Sequence, residues 1–206
     1  MGLRDAISGP FGRNMSITID RDAMENVINS LGQTNPEIDG ERFGMVAVRH
    51  KSNGSHISSF SPMPIHSATS ELIQVDERVM HGYVVHALHP NGMIPGGFVH
   101  TQPRNESALS DLDKSMAREY MGRFKQFYGD DAPDFYSMPV MHFGRDGKPN
   151  LTTWVFDMNN PNREPVQAEM NVVNGRGQSM EVNDYMRMRE YNAPALEQAF
   201  GMNGQR

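Results

Sequence analysis

The chain of 206 residues contains no cysteine. That removes disulfide frameworks, thiolate metal sites and cysteine nucleophiles together. The fold must rest on its apolar core, and any metal must use His, carboxylate or amide ligands. No apolar run approaches the ~20 residues needed to span a bilayer, and the N-terminus lacks the continuous apolar stretch of a secretory signal. A soluble, cytoplasmic protein with no membrane contact is expected, with export by a dedicated secretion machine left open. Positive charge is also short. Nineteen Lys and Arg stand against 25 Asp and Glu, a formal net charge of -6 with no basic stripe to offset it. This argues against nucleic-acid binding. Met1-Gly2 does not complete a myristoylation signal, because Ala6 occupies the place of its Ser or Thr. Tryptophan occurs once, as Trp154, and its place in a strand pattern points to the core. What the chain has in quantity is methionine, 17 residues, which reads as adaptable core filling.

The length fits one domain with extensions. Residues 1–16, with Gly9-Pro10 and Gly12, read as a flexible arm, and residues 17–157 as the domain. Residues 158–206 read as a C-terminal extension beyond the boundary signal Asn159-Asn160-Pro161-Asn162. Within the domain, Asp20 is an N-cap candidate, Ala23, Met24, Val27, Ile28 and Leu31 form one helical face, and Gly32 is a stop. After a loop at Thr34-Asn35-Pro36, Phe43 to Val48 predicts a buried strand. Lys51-Ser52-Asn53-Gly54 predicts a turn and Ser55 to Phe60 the partner strand. Ser67 to Met80 is assigned a short helix and Gly82 to Leu88 a strand, and Gly96-Gly97 reads as part of the turn before Phe98-Val99-His100. From Ser110 a helix runs to about Tyr128, with Leu112, Met116, Tyr120, Phe124 and Phe127 at helical spacing and Gly129 closing it. Phe135 to Phe143 and Leu151 to Phe156 form a hairpin, Pro139 placing the first strand at an edge or bulge. Val166 to Gly177 is weakly specified, and a terminal helix over Val182 to Tyr191 resumes after Pro194.

Chemistry concentrates in His100-Thr101-Gln102-Pro103, followed by Ser110 and Asp113. At a strand end, residues 100 and 102 point to the same side. Ser110 and Asp113, three apart at a helix start, can both face back toward that end. The pattern resembles the JAB/MPN (JAMM) zinc metalloprotease family, whose signature is an upstream Glu, then His-Ser/Thr-His-Pro, six residues, Ser, two residues and Asp. Arg104 to Leu109 supply the six, Glu41 best matches the upstream Glu, and Glu37 is its rival. Gln102 stands where the family has its second zinc-binding His. The resemblance spans roughly residues 20–157. It implies an α/β (α+β) fold with a cytidine-deaminase-type core, a mixed β-sheet of hairpins flanked by helices.

What the resemblance implies about chemistry follows residue by residue. Zinc would be held by His100, Asp113 and, in place of the second His, Gln102. Glu41 would act as general base and then general acid, and Ser110 would stabilise an oxyanion. The reaction would be hydrolysis of an amide in a protein or peptide, in many members an isopeptide bond to a ubiquitin-like modifier. A Gln carbonyl is a weaker donor than imidazole, and His86 and His89 are the nearby reserve ligands. The remaining histidines, His50, His56, His66, His81 and His142, read as structural or exposed. Two other functions share the resemblance: an inactive MPN-type module that binds a protein partner, and a secreted bacterial effector or toxin-associated domain.

Overall fold

The computed structural model describes residues 15–33, 40–68, 73–102, 106–191 and 193–199. The loop at residues 34–36, the rival carboxylate Glu37 and Pro103 lie outside them. Strand β1 (Ser16–Asp20) leads directly into helix α1 (Arg21–Leu31), whose buried residues are the five expected of its apolar face. Strand β1 buries Ile17 and Ile19, an alternation too short to stand out beside the Gly- and Pro-bearing stretch before it. The arm assigned to residues 1–16 therefore ends earlier than expected. Met15 is already buried and accepts a hydrogen bond from the Glu169 N–H.

The main sheet contains β1 with β2 (Phe43–Arg49), β3 (His56–Pro62), β6 (Met93–Gln102), β7 (Phe135–Phe143), β8 (Pro149–Asp157), β9 (Val166–Val173) and β10 (Ser179–Glu181). A separate antiparallel pair joins β4 (Ile65–Ala68) to β5 (Ile73–Val75). The order is β1-β3-β2-β6-β7-β8-β9-β10, and β9 also pairs in parallel with β1. The α/β character expected from the sequence is present, but the sheet is not an open array of hairpins. Seven strands close on themselves and β10 extends β9. The closing strand comes from the segment read as weakly specified, where Ala168, Met170 and Val172 are buried in alternation. Asn159 to Asn162 thus form a turn between two paired strands, and residues beyond 158 contribute to the same core.

Two apolar clusters cover the two faces of the central strands. One contains Val46, Val99, Met141 and Val155 under α1 and helix α4 (Val182–Tyr191). A shorter helix, α5 (Ala193–Ala199), follows α4 and begins around Pro194. The other contains Phe43, Met45, Phe98, Tyr136, Met138, Val140 and Phe156 under helix α3 (Asp111–Tyr128). In α3 the inward residues are Ala117, Met121 and Phe124, whereas Leu112 and Phe127 are exposed, so the real stripe is rotated from the expected one.

The stretch assigned to a short helix and a following strand differs most. Residues 67–68 belong to β4, and the helix α2 (Glu77–Tyr83) passes into a π-turn (Val84–Leu88) and a 3₁₀ turn (His89–Asn91). Asp76 caps it by accepting from Arg78 and Val79 N–H. Met80, Tyr83, Val84 and Leu88 then pack on the second cluster, which outweighs the strand preference of Val84-Val85. Pro90 prevents the helix from continuing.

Gly96-Gly97 is inside β6 rather than in a turn. Gly97 has φ of 144°, and a Cβ there would lie 1.8 Å from the Ser137 carbonyl oxygen, so glycine is required for β6 to approach β7. Strand β7 is interior, flanked by β6 and β8, despite Pro139. The β6–β7 pairs skip from Gly97–Ser137 to His100–Val140, and Pro139, which has no N–H to give, lies in that interval. Among the described residues no helix is long and apolar enough to cross a membrane.

Candidate functional site

Strand β6 and helix α3 bring the motif together. His100 and Gln102 are at the C-terminal end of β6 and are buried, at 1% and 5% exposure. Phe43 of β2 pairs with His100, and the ladder continues through Thr101 N–H donating to the Arg42 carbonyl at 2.9 Å. Extending that register by one more residue puts Glu41 opposite Gln102. Arg42 N–H also donates to the Thr101 hydroxyl at 2.7 Å, which fixes the approach of residue 41 to β2. From the other side, Ser110 is the N-cap of α3 and forms a capping box with Asp113. The Ser110 hydroxyl accepts from Asp113 N–H at 3.1 Å, and Ser110 N–H donates to Asp113 Oδ2 at 2.8 Å.

Asp113 Oδ2 is the hub. It accepts from Ser110 N–H, from the Ser110 hydroxyl at 2.7 Å and from the Gln102 amide Nε2 at 3.1 Å. Its other oxygen, Oδ1, lies 3.5 Å from His100 Nε2, within ion-pair range but too long for a good hydrogen bond. Both ring nitrogens of His100 and the Gln102 carbonyl oxygen are buried with no hydrogen-bond partner among the described residues. Such groups are costly unless something satisfies them. Burial lowers the His100 pKa and Asp113 only opposes this, so the imidazole is held toward its neutral form, with a lone pair available. Glu41 is pushed up to about 7, chiefly by burial and then by the negative charges of Asp113 and Glu106. The carboxylates of Asp113 and Glu106 thus disfavour a third negative charge on Glu41, beside an imidazole held toward its neutral form.

His100 Nε2 and Asp113 Oδ1 lie 3.5 Å apart, a nitrogen and oxygen donor pair that suits a divalent ion, while the Gln102 amide turns its Nε2 toward Asp113. As the side chains stand, no three His, Asp or Glu among the described residues are close enough to hold an ion by themselves.

Some candidates are brought elsewhere. His86 and His89 precede Met93, at the opposite end of β6 from the motif. Seven residues of strand separate Met93 from His100, roughly 23 Å at about 3.3 Å per residue. His89 instead hydrogen-bonds the Tyr128 hydroxyl at 2.8 Å and stacks on Phe127, so neither histidine is a reserve ligand. Ser110, expected at an oxyanion, spends its hydroxyl on the capping box.

His142, read from the sequence as structural or exposed, and Trp154, read as core, complete the surroundings. His142 of β7 is the register partner of Gln102 and hydrogen-bonds the Thr152 hydroxyl at 3.1 Å. Trp154, half-buried against the second cluster, donates its indole N–H to the Ser107 carbonyl at 2.8 Å, tying the segment before α3 to β8. Knowledge that β6 and β7 pair in parallel would have found His142, and that pairing is made only through the intervening α3 crossover.

No known protein family matches the chain by sequence, and no curated protein does. Among solved structures, the chain is similar to a Desulfitobacterium hafniense protein determined in solution. The TM-score is 0.54 at 18% identity, over 77% of this chain and 93% of that one. A JAB1/MPN domain protein from Archaeoglobus fulgidus aligns at TM-score 0.38 and 11% identity, over 75% of this chain and 98% of that one. The first likeness shows a shared fold alone, and the second is too distant to carry weight.

Proposed function

We propose that the chain is a JAB/MPN-like domain, with the cytidine-deaminase-type core of that family, whose JAMM-type site hydrolyses an amide bond in a protein or peptide substrate. The observation that supports this reading is the gathering of His100, Gln102, Asp113 and Glu41, with the His100 nitrogens and the Gln102 carbonyl oxygen buried and unsatisfied among the described residues. His100 Nε2, Asp113 Oδ1 and the Gln102 carbonyl oxygen would hold zinc. When bound, the ion would supply an acidified water and polarise the substrate carbonyl.

The chain's own residues would do the rest. Glu41, with its pKa raised, accepts a proton from the attacking water as the C–O bond forms. It returns that proton to the leaving nitrogen as the C–N bond breaks, which yields a carboxylic acid and an amine. Ser110 holds Asp113 in place through N–H and hydroxyl, and Gln102 Nε2 does the same from β6.

One observation favours a second reading, an inactive module that binds a protein partner. Asp113 Oδ2 already has three donors, so this part of the site forms a closed hydrogen-bonded network without an ion. Metal analysis after zinc supplementation, combined with cleavage of peptides and of isopeptide-linked conjugates, separates the two. Near-stoichiometric zinc and cleavage abolished by Glu41→Gln are the expected results. A protein without zinc or cleavage that keeps its partner in the presence of a chelator is a binding module.

A further inference from the structure

We infer that a break between β8 and β9 is a binding site for a primary ammonium group, carried by a small free amine or by a lysine side chain. This holds whether or not the motif at His100 binds zinc.

Strand β9 changes partner along one of its edges. Val166 to Ala168 pair with Val155 to Thr153 of β8, and Asn171 to Val173 pair with Glu181 to Ser179 of β10. Glu169 and Met170 fall between and belong to neither ladder on that edge. Two more residues of the β8 register would set Leu151 opposite Met170. Leu151 instead gives its N–H to Asn183 Oδ1 at 2.8 Å, and its carbonyl accepts from Asn183 Nδ2 at 3.2 Å. A side chain at the start of α4 thus takes the place of a strand and holds the break open. The Glu169 N–H points the other way, to the Met15 carbonyl, so alternation along β9 turns the Met170 carbonyl toward the break.

The break contains a cavity of about 410 Å³. That is the size of a small-molecule cleft and far more than one water needs. Thr153 lines it at 2% exposure, and its hydroxyl has no hydrogen-bond partner among the described residues. A buried hydroxyl in that state is costly unless something bonds it. Glu169 and Glu181 line the same cavity, and no Lys, Arg, His or aromatic residue among the described residues does. The two carboxylates share a face, because Glu181 pairs with Asn171 and Asn171 Nδ2 donates to Glu169 Oε1 at 3.0 Å. Glu181 is fixed there by accepting from the Asn183 and Asp184 N–H groups at 2.9 and 3.1 Å. Glu169 is exposed and Glu181 half-buried, so they form the rim and Thr153 the floor.

A hydroxyl, two carboxylates and a carbonyl are all acceptors, and the guest they suit is a cation with several N–H donors. A primary ammonium has three. No three His, Asp or Glu among the described residues stand together as a metal would need. A quaternary ammonium has no N–H to give and finds no aromatic ring here.

The test is titration of the full-length protein with putrescine and with Nα-acetyl-lysine amide, read by calorimetry and by the amide NMR shifts of Thr153, Met170 and Asn183. Doubly N-acetylated putrescine, which lacks the charge, and tetramethylammonium, which lacks the N–H groups, are the controls. Both amines or one of them should bind and neither control should. Tighter binding of putrescine identifies a free amine as the guest, and tighter binding of the lysine amide identifies a lysine side chain. Thr153→Val, which keeps the shape and removes the hydroxyl, is expected to weaken binding roughly 10-fold, the loss of a hydrogen bond to a charged group. Glu169→Gln, at an exposed position that folding tolerates, should weaken it about 3-fold. Equal binding of tetramethylammonium, or unchanged affinity in both variants, reduces the effect to diffuse attraction and overturns the inference. Absence of any shift in the native protein at millimolar amine overturns it as well.

Discussion

Two of the His–Asp pairs among the described residues, His56–Asp20 and His100–Asp113, are opposites. In the first, His56 of β3 has both ring nitrogens engaged, Nδ1 with the Thr18 hydroxyl at 2.7 Å and Nε2 with Asp20 at 3.2 Å, at side-chain exposures of 38% and 43% for His56 and Asp20. It ties β3 to β1 and to the start of α1, and nothing in it is left wanting. In the second, His100 is buried with neither nitrogen hydrogen-bonded, and its Asp113 is hydrogen-bonded on one oxygen only, among the described residues. Completeness marks a structural fastening. Unsatisfied, buried polar atoms beside negative charge are what the proposed metal site would use.

The largest test removes the backbone arrangement beneath the second pair while sparing the first. Gly97→Ala places a Cβ 1.8 Å from the Ser137 carbonyl oxygen at φ of 144°. Strand β6 must then move off β7, so the expected loss is about 4 kcal/mol or more, in the exceptional range for one substitution. Urea denaturation reads it, and a loss below about 1 kcal/mol would mean that the β6–β7 approach is not as tight as described. Next in size is Asp113→Ala. It deletes the acceptor of three hydrogen bonds and half of the α3 capping box, an expected cost of about 2 to 3 kcal/mol. A near-neutral result would show that Asp113 does not organise the motif.

How much of this was legible beforehand follows from the range of each interaction. Helix α1 was readable residue by residue because its stripe, Ala23 to Leu31, is a local periodicity, and the β7–β8 hairpin because its turn is local too. The motif was readable because His100 and Gln102 share a strand and Ser110 and Asp113 share a capping box. Residues 82–88 were misread because a helix there gains its stability from packing of Met80, Val84 and Leu88 on a cluster built by distant strands. Closure of the sheet was hidden because β1 and β9 are separated by most of the chain. The nearness of His142 to the motif is hidden for the same reason, its neighbour Gln102 lying forty residues upstream on a parallel strand.

Glu41 sharpens the contrast through pH. Its pKa, about 7 when folded against an ordinary 4.5, means that the folded protein binds the proton more tightly than the unfolded chain. Stability must then fall as pH rises from 4.5 to 7, with the penalty complete above that window. Glu41→Gln should be neutral at pH 4 and stabilising at pH 8 by about 1 to 2 kcal/mol, once the side chain's partial exposure is allowed for. Thermal melts across pH 4 to 8 measure it. Equal effects at both ends would show that the carboxylate does not sit in the crowded charge of Asp113 and Glu106.

The smallest effect belongs to the satisfied pair, and its smallness is the point. Asp20 occupies the N-cap position of α1 but makes no side-chain capping bond, so its carboxylate contributes only the contact with His56. An ion pair this exposed is screened by solvent and salt, and Asp20→Asn should change stability by no more than about 0.5 kcal/mol, with less effect still in high salt. Urea denaturation at low and high ionic strength reads both numbers. A loss comparable with that of Asp113→Ala would mean that a hydrogen-bonded, half-exposed pair holds the sheet as firmly as the buried one. Bonding completeness would then no longer separate a fastening from a site.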